Sequence, residues 1–439
     1  MRGATVTSGV HLNKVLIVLH TVRAVFGAFL VVFSISATTC AQQWTRFRGP
    51  NGSGISNAKS IPSHWTQDDY NWKVALPGAG HSSPVVWGNR LFLTSADKET
   101  GICCLLCIDT KDGQVLWKHD FATADYTKHE LNSRASATPA LDAQHAYVCW
   151  TTNDELAVQA ISHHGNTVWT KSLGPYKALH GIASSPIVHD GLLFVANDQD
   201  KQSSVLALAA ATGKQQWAVS RETTANYSTP CVVTSNNVFN VLFTSRDRGL
   251  TAIVGRSGQV AWELSVFQSH ISVASPITTS EFIVAASGGV GVPEEVVTIK
   301  FQDQQSLQSP TELYRLETAT PFVPTPLSHR GMLFLVSDEG IAHCVDLKTG
   351  AVHWKERLNN KFYSSPICID NKIYFTSRDG EIIVVEAADK FNLLARNHVL
   401  EECHATPAVS DGRMYLRTFS SLISIGGSSS GSQRRRASK

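Results

Sequence analysis

Eight regularly spaced Ser/Thr-Pro pairs are the feature that most constrains the fold of this 439-residue chain. Each pair follows a small residue or a proline, and successive prolines lie 40 to 55 residues apart. The eight prolines are Pro84, Pro139, Pro186, Pro230, Pro276, Pro326, Pro366 and Pro407. Self-similarity at a period in this range is the signature of a repeat architecture. We therefore predict eight copies of one structural unit.

A second mark, Gly-x-x-x-Trp, recurs at a fixed place in five of the units. Between the two marks, short apolar runs alternate with turn sequences such as Asp190-Gly191 and Asp411-Gly412, which is typical of antiparallel strands. Four strands in a unit of about 44 residues form one blade of a β-propeller. The sequence predicts an all-β protein, an eight-bladed β-propeller of four-stranded antiparallel blades.

Closure of the ring is predicted from the two ends of the repeat region. The last unit has room for only three strands between Pro407 and Ile425, whereas an isolated Trp strand around Trp72 precedes the first unit. We expect this N-terminal strand to complete the last blade. The propeller then occupies residues 72–425, after a leader segment at 42–71.

The N-terminus reads as an export signal. Residues 1–41 hold three basic residues and no acid, then an apolar stretch and small residues before a plausible cut after Ala41. An uncleaved membrane anchor or a lipid on Cys40 are the alternatives, and either would be the only membrane attachment. We expect an exported protein of the periplasm or cell envelope.

The charge pattern argues against nucleic acid as a partner. The formal charge of +2 depends on basic residues in the signal and in the tail at 426–439, and the body between them is acidic. No basic face remains to neutralise phosphates. The tail, rich in Gly and Ser and then basic, is expected to be disordered.

Cys103, Cys104 and Cys107 are the obvious candidates for a metal site or a vicinal disulfide. Their spacing places them along one strand, with no second Cys/His pair to complete a metal site. Counted back from the turn glycine, Cys107 matches Cys344, Ala207 and Ala252, so we interpret it as a small core residue. No metal site is predicted, and a disulfide stays open.

The motifs together resemble the pyrroloquinoline-quinone-like (PQQ-like) β-propeller repeats. The segments Asp346–Trp354 and Asp109–Trp117 are near the Asp-x-x-Thr-Gly-x-x-x-Trp ending of those repeats, and Trp44–Gly52 resembles the leader of exported members that are not dehydrogenases. The resemblance implies that each Trp docks on the neighbouring blade, with Tyr314 as a substitute in the fifth unit. The docking residues are Trp72, Trp117, Trp169, Trp217, Trp262 and Trp354.

Residues just before the Ser/Thr-Pro marks are expected to converge at one mouth of the central channel. They are His81, Arg134, His180, Tyr227, His270, Phe322, Tyr363 and His404. His81 and His404 should be neighbours, because the first and eighth blades adjoin in a closed ring. These side chains are candidates to bind a ligand, and local hydrogen bonding to the loops is the alternative.

The superfamily contains PQQ- and Ca²⁺-dependent alcohol and sugar dehydrogenases as well as binding propellers such as the lipoprotein of the outer-membrane barrel-assembly machinery. The calcium ligand set of the dehydrogenases and their adjacent cysteine pair have no counterpart in this sequence. We therefore expect a monomeric binding propeller without a cofactor or catalytic residues, with a protein or small ligand as partner. A PQQ/Ca²⁺-dependent dehydrogenase and a hydrolase or lyase using the histidines are the alternatives.

Overall fold

A computed structural model describes residues 43–97, 99–121, 132–152, 155–178, 181–200, 202–224, 226–268, 271–289, 291–303 and 307–427. The expectations for the export signal and for tail residues 428–439 lie outside these ranges. Within them, no helix combines the length and the hydropathy that crossing a bilayer requires. Two short 3₁₀ helices occur, at Pro50–Gly52 and Gln67–Asp69.

The described residues form 33 strands. In the first half of the chain these are β1 Ile55–Ser56, β2 Tyr70–Ala75, β3 Val85–Trp87, β4 Arg90–Ala96, β5 Cys103–Asp109, β6 Val115–Phe121, β7 Ala140–Leu141, β8 His145–Thr151, β9 Leu156–Ser162, β10 Thr167–Ser172, β11 Ile187–His189, β12 Leu192–Asn197, β13 Ser203–Ala209, β14 Gln215–Arg221, β15 Cys231–Ser235, β16 Val238–Ser245, β17 Gly249–Val254 and β18 Val260–Leu264. The others are β19 Ile277–Thr278, β20 Phe282–Gly289, β21 Val292–Asp303, β22 Gln308–Leu316, β23 Leu327–His329, β24 Met332–Val336, β25 Ile341–Asp346, β26 Val352–Arg357, β27 Ile367–Ile369, β28 Lys372–Thr376, β29 Glu381–Glu386, β30 Leu393–His398, β31 Ala408–Ser410, β32 Arg413–Arg417 and β33 Ser421–Gly426.

The strands pair into eight antiparallel blades in chain order, which confirms the predicted propeller. Blades 1 to 7 each take four consecutive strands, from β3–β6 to β27–β30. Blade 8 has the order β2-β33-β32-β31, so the N-terminal strand closes the ring as predicted. Trp72 lies opposite Ser424 in this pairing.

Hydrophobic patterning explains which strand lies where in a blade. The second and third strands are mainly apolar and almost entirely buried on both faces, as β4 and β5 show. The outer strand alternates, so that one face of β6 packs inward while Val115 and Leu116 remain exposed. Strands buried on both faces carry continuous hydrophobic runs, and strands with a solvated face alternate.

The outer-strand tryptophans join each blade to the next. The indole N–H of Trp117, for example, donates to the His163 carbonyl oxygen of blade 2 at 3.1 Å. Equivalent bonds run from Trp72 to Thr110, Trp169 to Ala210, Trp217 to Gly255, Trp262 to Leu307 and Trp354 to Ala388, and the Tyr314 hydroxyl donates to Leu347. A Cβ on Gly113 would lie 2.7 Å from the Trp72 ring, which explains the glycine at that turn.

Blade 7 lacks an outer-strand aromatic residue, because Ala395 stands at the equivalent position opposite Val384. Trp65, from the leader, fills this place. Its ring stacks on Tyr374 with centroids 6.3 Å apart, and its backbone N–H donates to the Asn397 side chain at 2.8 Å. Trp65 lies outside the repeats, so an alignment of the repeat units could not predict this substitution.

The leader crosses the ends of the innermost strands. Its strand β1 pairs in parallel with β27 of blade 7 and gives that blade a fifth strand. Further backbone or side-chain hydrogen bonds tie Trp44 to blade 1, Thr45 to blade 2, Asn51 to blades 4 and 5, and Ser60 to blade 8. The leader is therefore an integral part of the propeller.

The cysteines of β5 lie in the core, as the repeat alignment predicted. Cys103, Cys104 and Cys107 are free thiols with at most 3% exposure, and Cys107 pairs across the sheet with Trp117. Cys344 occupies the same place opposite Trp354 and is fully buried. Burial raises the pKa of the Cys103 thiol to about 12, which keeps it protonated and unreactive.

Candidate functional site

Two histidines meet where blade 8 joins blade 1, at the loops before Pro407 and Pro84. The ring centroids of His81 and His404 are 4.9 Å apart. Phe419 packs edge-on against both rings, 5.2 Å from His81 and 5.0 Å from His404. Closure of the ring by β2 brings the two histidines together although 323 residues separate them in the sequence.

Tyr363 and Arg378 of blade 7 extend this cluster. The Tyr363 ring lies 5.3 Å from the His404 ring, and the Arg378 guanidinium lies 4.6 Å from the centre of the Tyr363 ring. This distance is typical of a cation–π contact. We name His81, Tyr363, Arg378, His404 and Phe419 the mouth cluster.

His404 is held in one protonation state by its neighbours. The Nε–H of Arg378 donates to His404 Nε2 at 3.4 Å, so the ring proton is assigned to Nδ1. Burial, with a further contribution from the Arg378 charge, lowers the pKa of His404 to about 4. His404 Nδ1 is buried and has no hydrogen-bond partner in the part of the chain that the structure describes. A neutral imidazole with an unpaired N–H can donate to a bound group.

The other residues predicted at the mouth are not part of the mouth cluster. Arg134 reaches the turn of blade 1, where a Cβ on Gly101 would lie 2.1 Å from its Nη1. Tyr227 is 7% exposed and packs in a small apolar cluster with Ala178, away from solvent. His180 and His270 lie outside the described residues. The structure brings His81, His404 and Tyr363 together, whereas Tyr227 is buried beside residues of the loops before Pro186 and Pro276, among them Ala178 and Ile271.

Phe322 marks a second contact region at the loop before Pro326. Its backbone N–H and that of Val323 both donate to Asp338 Oδ1 at 3.0 Å. Burial is the main reason that the pKa of Asp338 rises to about 7, and the charges of Glu294 and Glu339 raise it further. Asp338 therefore ties the second turn of blade 6 to the preceding loop.

Sequence reasoning missed Arg378 and Phe419. Both lie in the turn between the second and third strands of a blade, where an aspartate often accepts hydrogen bonds from the backbone of its own turn. Asp97 does so, accepting from Glu99 and Thr100. Asp338 instead holds the neighbouring loop. Hairpin geometry places these turns at the same end of the blade as the loops before the prolines, and that was the available signal.

The residues at the mouth do not suit calcium. Ca²⁺ takes six to eight oxygen ligands, most of them carboxylates and carbonyls. The mouth cluster offers imidazoles, aromatic rings and a guanidinium. Across the described ranges no group of three His, Cys, Asp or Glu side chains is arranged to hold a metal ion.

Solved structures with this fold include BamB and several dehydrogenases. BamB from Moraxella catarrhalis superposes with a TM-score of 0.61 at 11% identity, covering 86% of this chain and 99% of its own. A europium-containing methanol dehydrogenase gives 0.62 at 11% identity, covering 88% and 98%. A quinohemoprotein alcohol dehydrogenase from Comamonas testosteroni gives 0.62 at 11% identity, covering 88% and 80%. At such identities the likeness concerns the fold alone.

Comparison of the sequence with protein families identifies the family, which the likeness in fold does not. No curated protein matches the chain. The family model described as outer membrane protein assembly factor BamB matches residues 66–173, 103–356 and 305–392, which together span most of the repeats. This family consists of PQQ-like repeat propellers, in agreement with the eight blades and the docking tryptophans. The chain belongs to the PQQ-like β-propeller family of the outer membrane protein assembly factor BamB.

Proposed function

We propose that this protein is an exported, non-catalytic propeller of the cell envelope that binds a protein partner at the mouth cluster. The name of its family, an assembly factor of the outer membrane, supports a role among protein partners in general. The observation that carries the proposal is the mouth cluster itself, in which blades 7, 8 and 1 present aromatic faces, a guanidinium and a buried imidazole N–H together.

The chemistry of the cluster suits recognition of a peptide. Tyr and Arg are enriched among the residues that dominate binding energy at protein interfaces. Tyr363 and Arg378 are partly buried, so they are already positioned by their neighbours and lose little freedom on binding. The unpaired Nδ1–H of His404 is a donor for a backbone or side-chain carbonyl of the partner.

The same residues favour a function without quinone or calcium. Arg378 holds the imidazole of His404 neutral, both imidazoles contact Phe419 edge-on, and none of the five residues of the mouth cluster is a carboxylate that could act as a catalytic base. A quinone dehydrogenase needs a calcium ligand set beside its cofactor. The donor set of the mouth cluster does not fit that need, and we propose that the protein works without this cofactor pair.

Site-specific crosslinking tests the proposal. A photoreactive p-benzoylphenylalanine at Tyr363 should capture a defined protein in intact cells. The same residue at Val352, which is 58% exposed on the outer strand of blade 6, should not capture it. Combining the Tyr363 probe with Arg378→Gln should reduce the crosslinked product at least fivefold, because the cation–π contact and the bond to His404 are lost.

Two results would contradict the proposal. The first is a crosslink of equal yield from both positions, or none from Tyr363. The second is reduction of a redox dye by purified protein supplied with PQQ, Ca²⁺ and an alcohol or aldose, which would establish the dehydrogenase alternative.

The double variant His81→Gln/His404→Gln should melt within about 2 °C of the wild type at pH 7.5, since these are partly exposed side chains.

A further inference from the structure

Two arginines of the leader are buried against the inner strands of the ring. Arg46 is 7% exposed and Arg48 is fully buried. Arg46 Nη2 donates to the Pro230 carbonyl oxygen of blade 4, and Arg48 Nη2 donates to the Pro366 carbonyl oxygen of blade 7 at 3.2 Å. Both prolines directly precede the innermost strand of their blade, so the guanidinium groups lie inside the ring.

Most of the hydrogen-bonding capacity of these groups is unused. Arg46 Nε, Arg48 Nε and Arg48 Nη1 are buried without a hydrogen-bond partner among the residues described, and neither side chain forms an ion pair there. Burial of an unpaired charge is costly, and buried arginines are normally paired. Arg221 is equally buried and has Asp198 Oδ2 at 3.5 Å, whereas Arg417, which is 1% exposed, forms no ion pair among the described residues and donates to the carbonyl and hydroxyl oxygens of Ser82.

The backbone that presents Arg48 is strained. Its φ of 60° lies in the left-handed region, which is uncommon for a residue other than glycine. A Cβ on Gly54 would lie 2.8 Å from Arg48 Nη2, so this glycine makes room for the side chain. Strain of this kind persists where the surrounding structure enforces it and is concentrated at ligand sites.

Both groups keep their charge in spite of burial. Desolvation lowers the pKa of Arg46 to about 10 and that of Arg48 to about 9, and the charge of Arg46 contributes to the shift of Arg48. At neutral pH two like charges therefore face a low-dielectric interior. A negative group close to both would offset the repulsion and supply acceptors for the N–H groups that lack them.

We propose that Arg46 and Arg48 form an oxyanion-binding site inside the ring, for a carboxylate or phosphate group. The planar guanidinium fork matches the paired oxygens of these groups and binds them in a bidentate manner. The source of the oxyanion is either a free small anion or a carboxylate side chain of a bound peptide. The site consists of leader residues and is independent of the function proposed for the mouth cluster.

Anion titration of the intact mature protein tests the site. Protein in a chloride-free HEPES buffer is titrated by calorimetry with sodium phosphate, sodium acetate and the amide of N-acetylglutamate, which carries only a side-chain carboxylate. One-to-one binding of at least one of them is expected, and the Tm should rise by about 2–4 °C at a hundredfold excess over Kd. Preference for the glutamate derivative would identify a peptide as source, and preference for phosphate a free anion.

Matched variants locate the effect. Arg48→Lys keeps the charge but loses the fork, and should weaken binding at least tenfold. Arg46→Gln/Arg48→Gln should abolish the anion-dependent rise of Tm. Arg357→Gln, which removes an exposed arginine from the outer strand of blade 6, should bind as the wild type does.

The wild-type protein alone can overturn the proposal, even if the double variant fails to fold. The oxyanion site is contradicted if neither the Tm nor the calorimetric heat changes with any of the three anions. It is also contradicted by a crystal structure at 50 mM phosphate that shows only water beside Arg48 Nε and Nη1. Density for an oxyanion bridging Arg46 and Arg48 would establish the site.

Discussion

Trp72 lies opposite Ser424 across the seam that joins the two ends of the propeller, and its indole N–H donates to the Thr110 carbonyl oxygen of blade 1 at 3.1 Å. One side chain thus belongs to the last blade while it docks on the first. All other docking residues lie between blades that are continuous in the chain. The seam depends on non-covalent pairing of β2 with β33, so the loss of Trp72 should be felt more strongly than the loss of its counterparts.

Substitution Trp72→Ala is expected to lower the free energy of unfolding by about 2–4 kcal/mol, through the lost packing on Gly113 and the lost hydrogen bond. Trp169→Ala removes an equivalent contact, with its bond to Ala210 at 2.8 Å, from a junction inside the chain. Urea unfolding of both variants should show the larger loss for Trp72→Ala. Equal losses would mean that the seam is no weaker than other junctions.

The role of Trp65 can be tested by removing its indole and introducing one at position 395, the equivalent position of the outer strand of blade 7. Trp65→Ala should destabilise the protein by about 2–4 kcal/mol, because it empties the place beside Tyr374. Adding Ala395→Trp puts an indole back at the repeat position of blade 7 and should restore at least half of the loss. A double variant less stable than Trp65→Ala, measured by the same urea titration, would show that Ala395 faces a different space.

His404 should make the protein less stable in acid. Its pKa is about 4 in the folded state, below the usual histidine pKa of 6.5, so the unfolded chain binds the extra proton between these values. Stability is therefore lost as the pH falls from 6.5 to 4, by about 1–3 kcal/mol for this group. His404→Gln should remove that part of the loss between pH 7.5 and 4.5. His64→Gln, at an exposed position, is the control for the loss of an imidazole.

Asp338 has the opposite dependence. Its folded-state pKa of about 7 exceeds the usual aspartate pKa of 3.8, so the folded protein binds more protons and gains stability as the pH falls through this range. Asp338→Asn keeps an oxygen for the N–H groups of Phe322 and Val323 and removes the buried charge. It should melt at or above the wild type at pH 8, whereas Asp338→Ala should lose about 1–3 kcal/mol. Thermal melting of both variants and the wild type at pH 8 checks these expectations, and an Asp338→Asn variant that melts below the wild type would contradict them.

The thiols of β5 should be protected until the protein unfolds. Cys103, Cys104 and Cys107 are buried, and burial raises the pKa of Cys104 to about 11 and those of the other two to about 12. Iodoacetamide at pH 8 should leave them unmodified in native protein and alkylate them fully in 6 M urea, as read by peptide mass spectrometry. Rapid labelling without denaturant, or a mass two units lower from a disulfide, would contradict the core interpretation.

Sequence predicted the features that repeat and missed those that occur once. The Ser/Thr-Pro and Gly-x-x-x-Trp marks determine blade count, docking residues and the His81–His404 pair, because each reflects one position in a common unit. Trp65 and Arg48 lie before the repeats, so no alignment within the chain assigns them a partner. Tyr227 shares the position of the mouth residues, but its environment of Ala178 and other apolar groups depends on tertiary packing.

The contacts of the leader also impose an order on folding. Trp44 bonds to blade 1, Asn51 to blades 4 and 5, β1 to blade 7 and Ser60 to blade 8, so the full set of contacts does not exist until the last blade has formed. The leader is synthesised before all the blades and is therefore the last segment to complete its contacts. Arg48 and Trp65 can dock only when the whole ring is complete. In a truncated or misassembled chain the leader therefore stays undocked and is open to proteolysis.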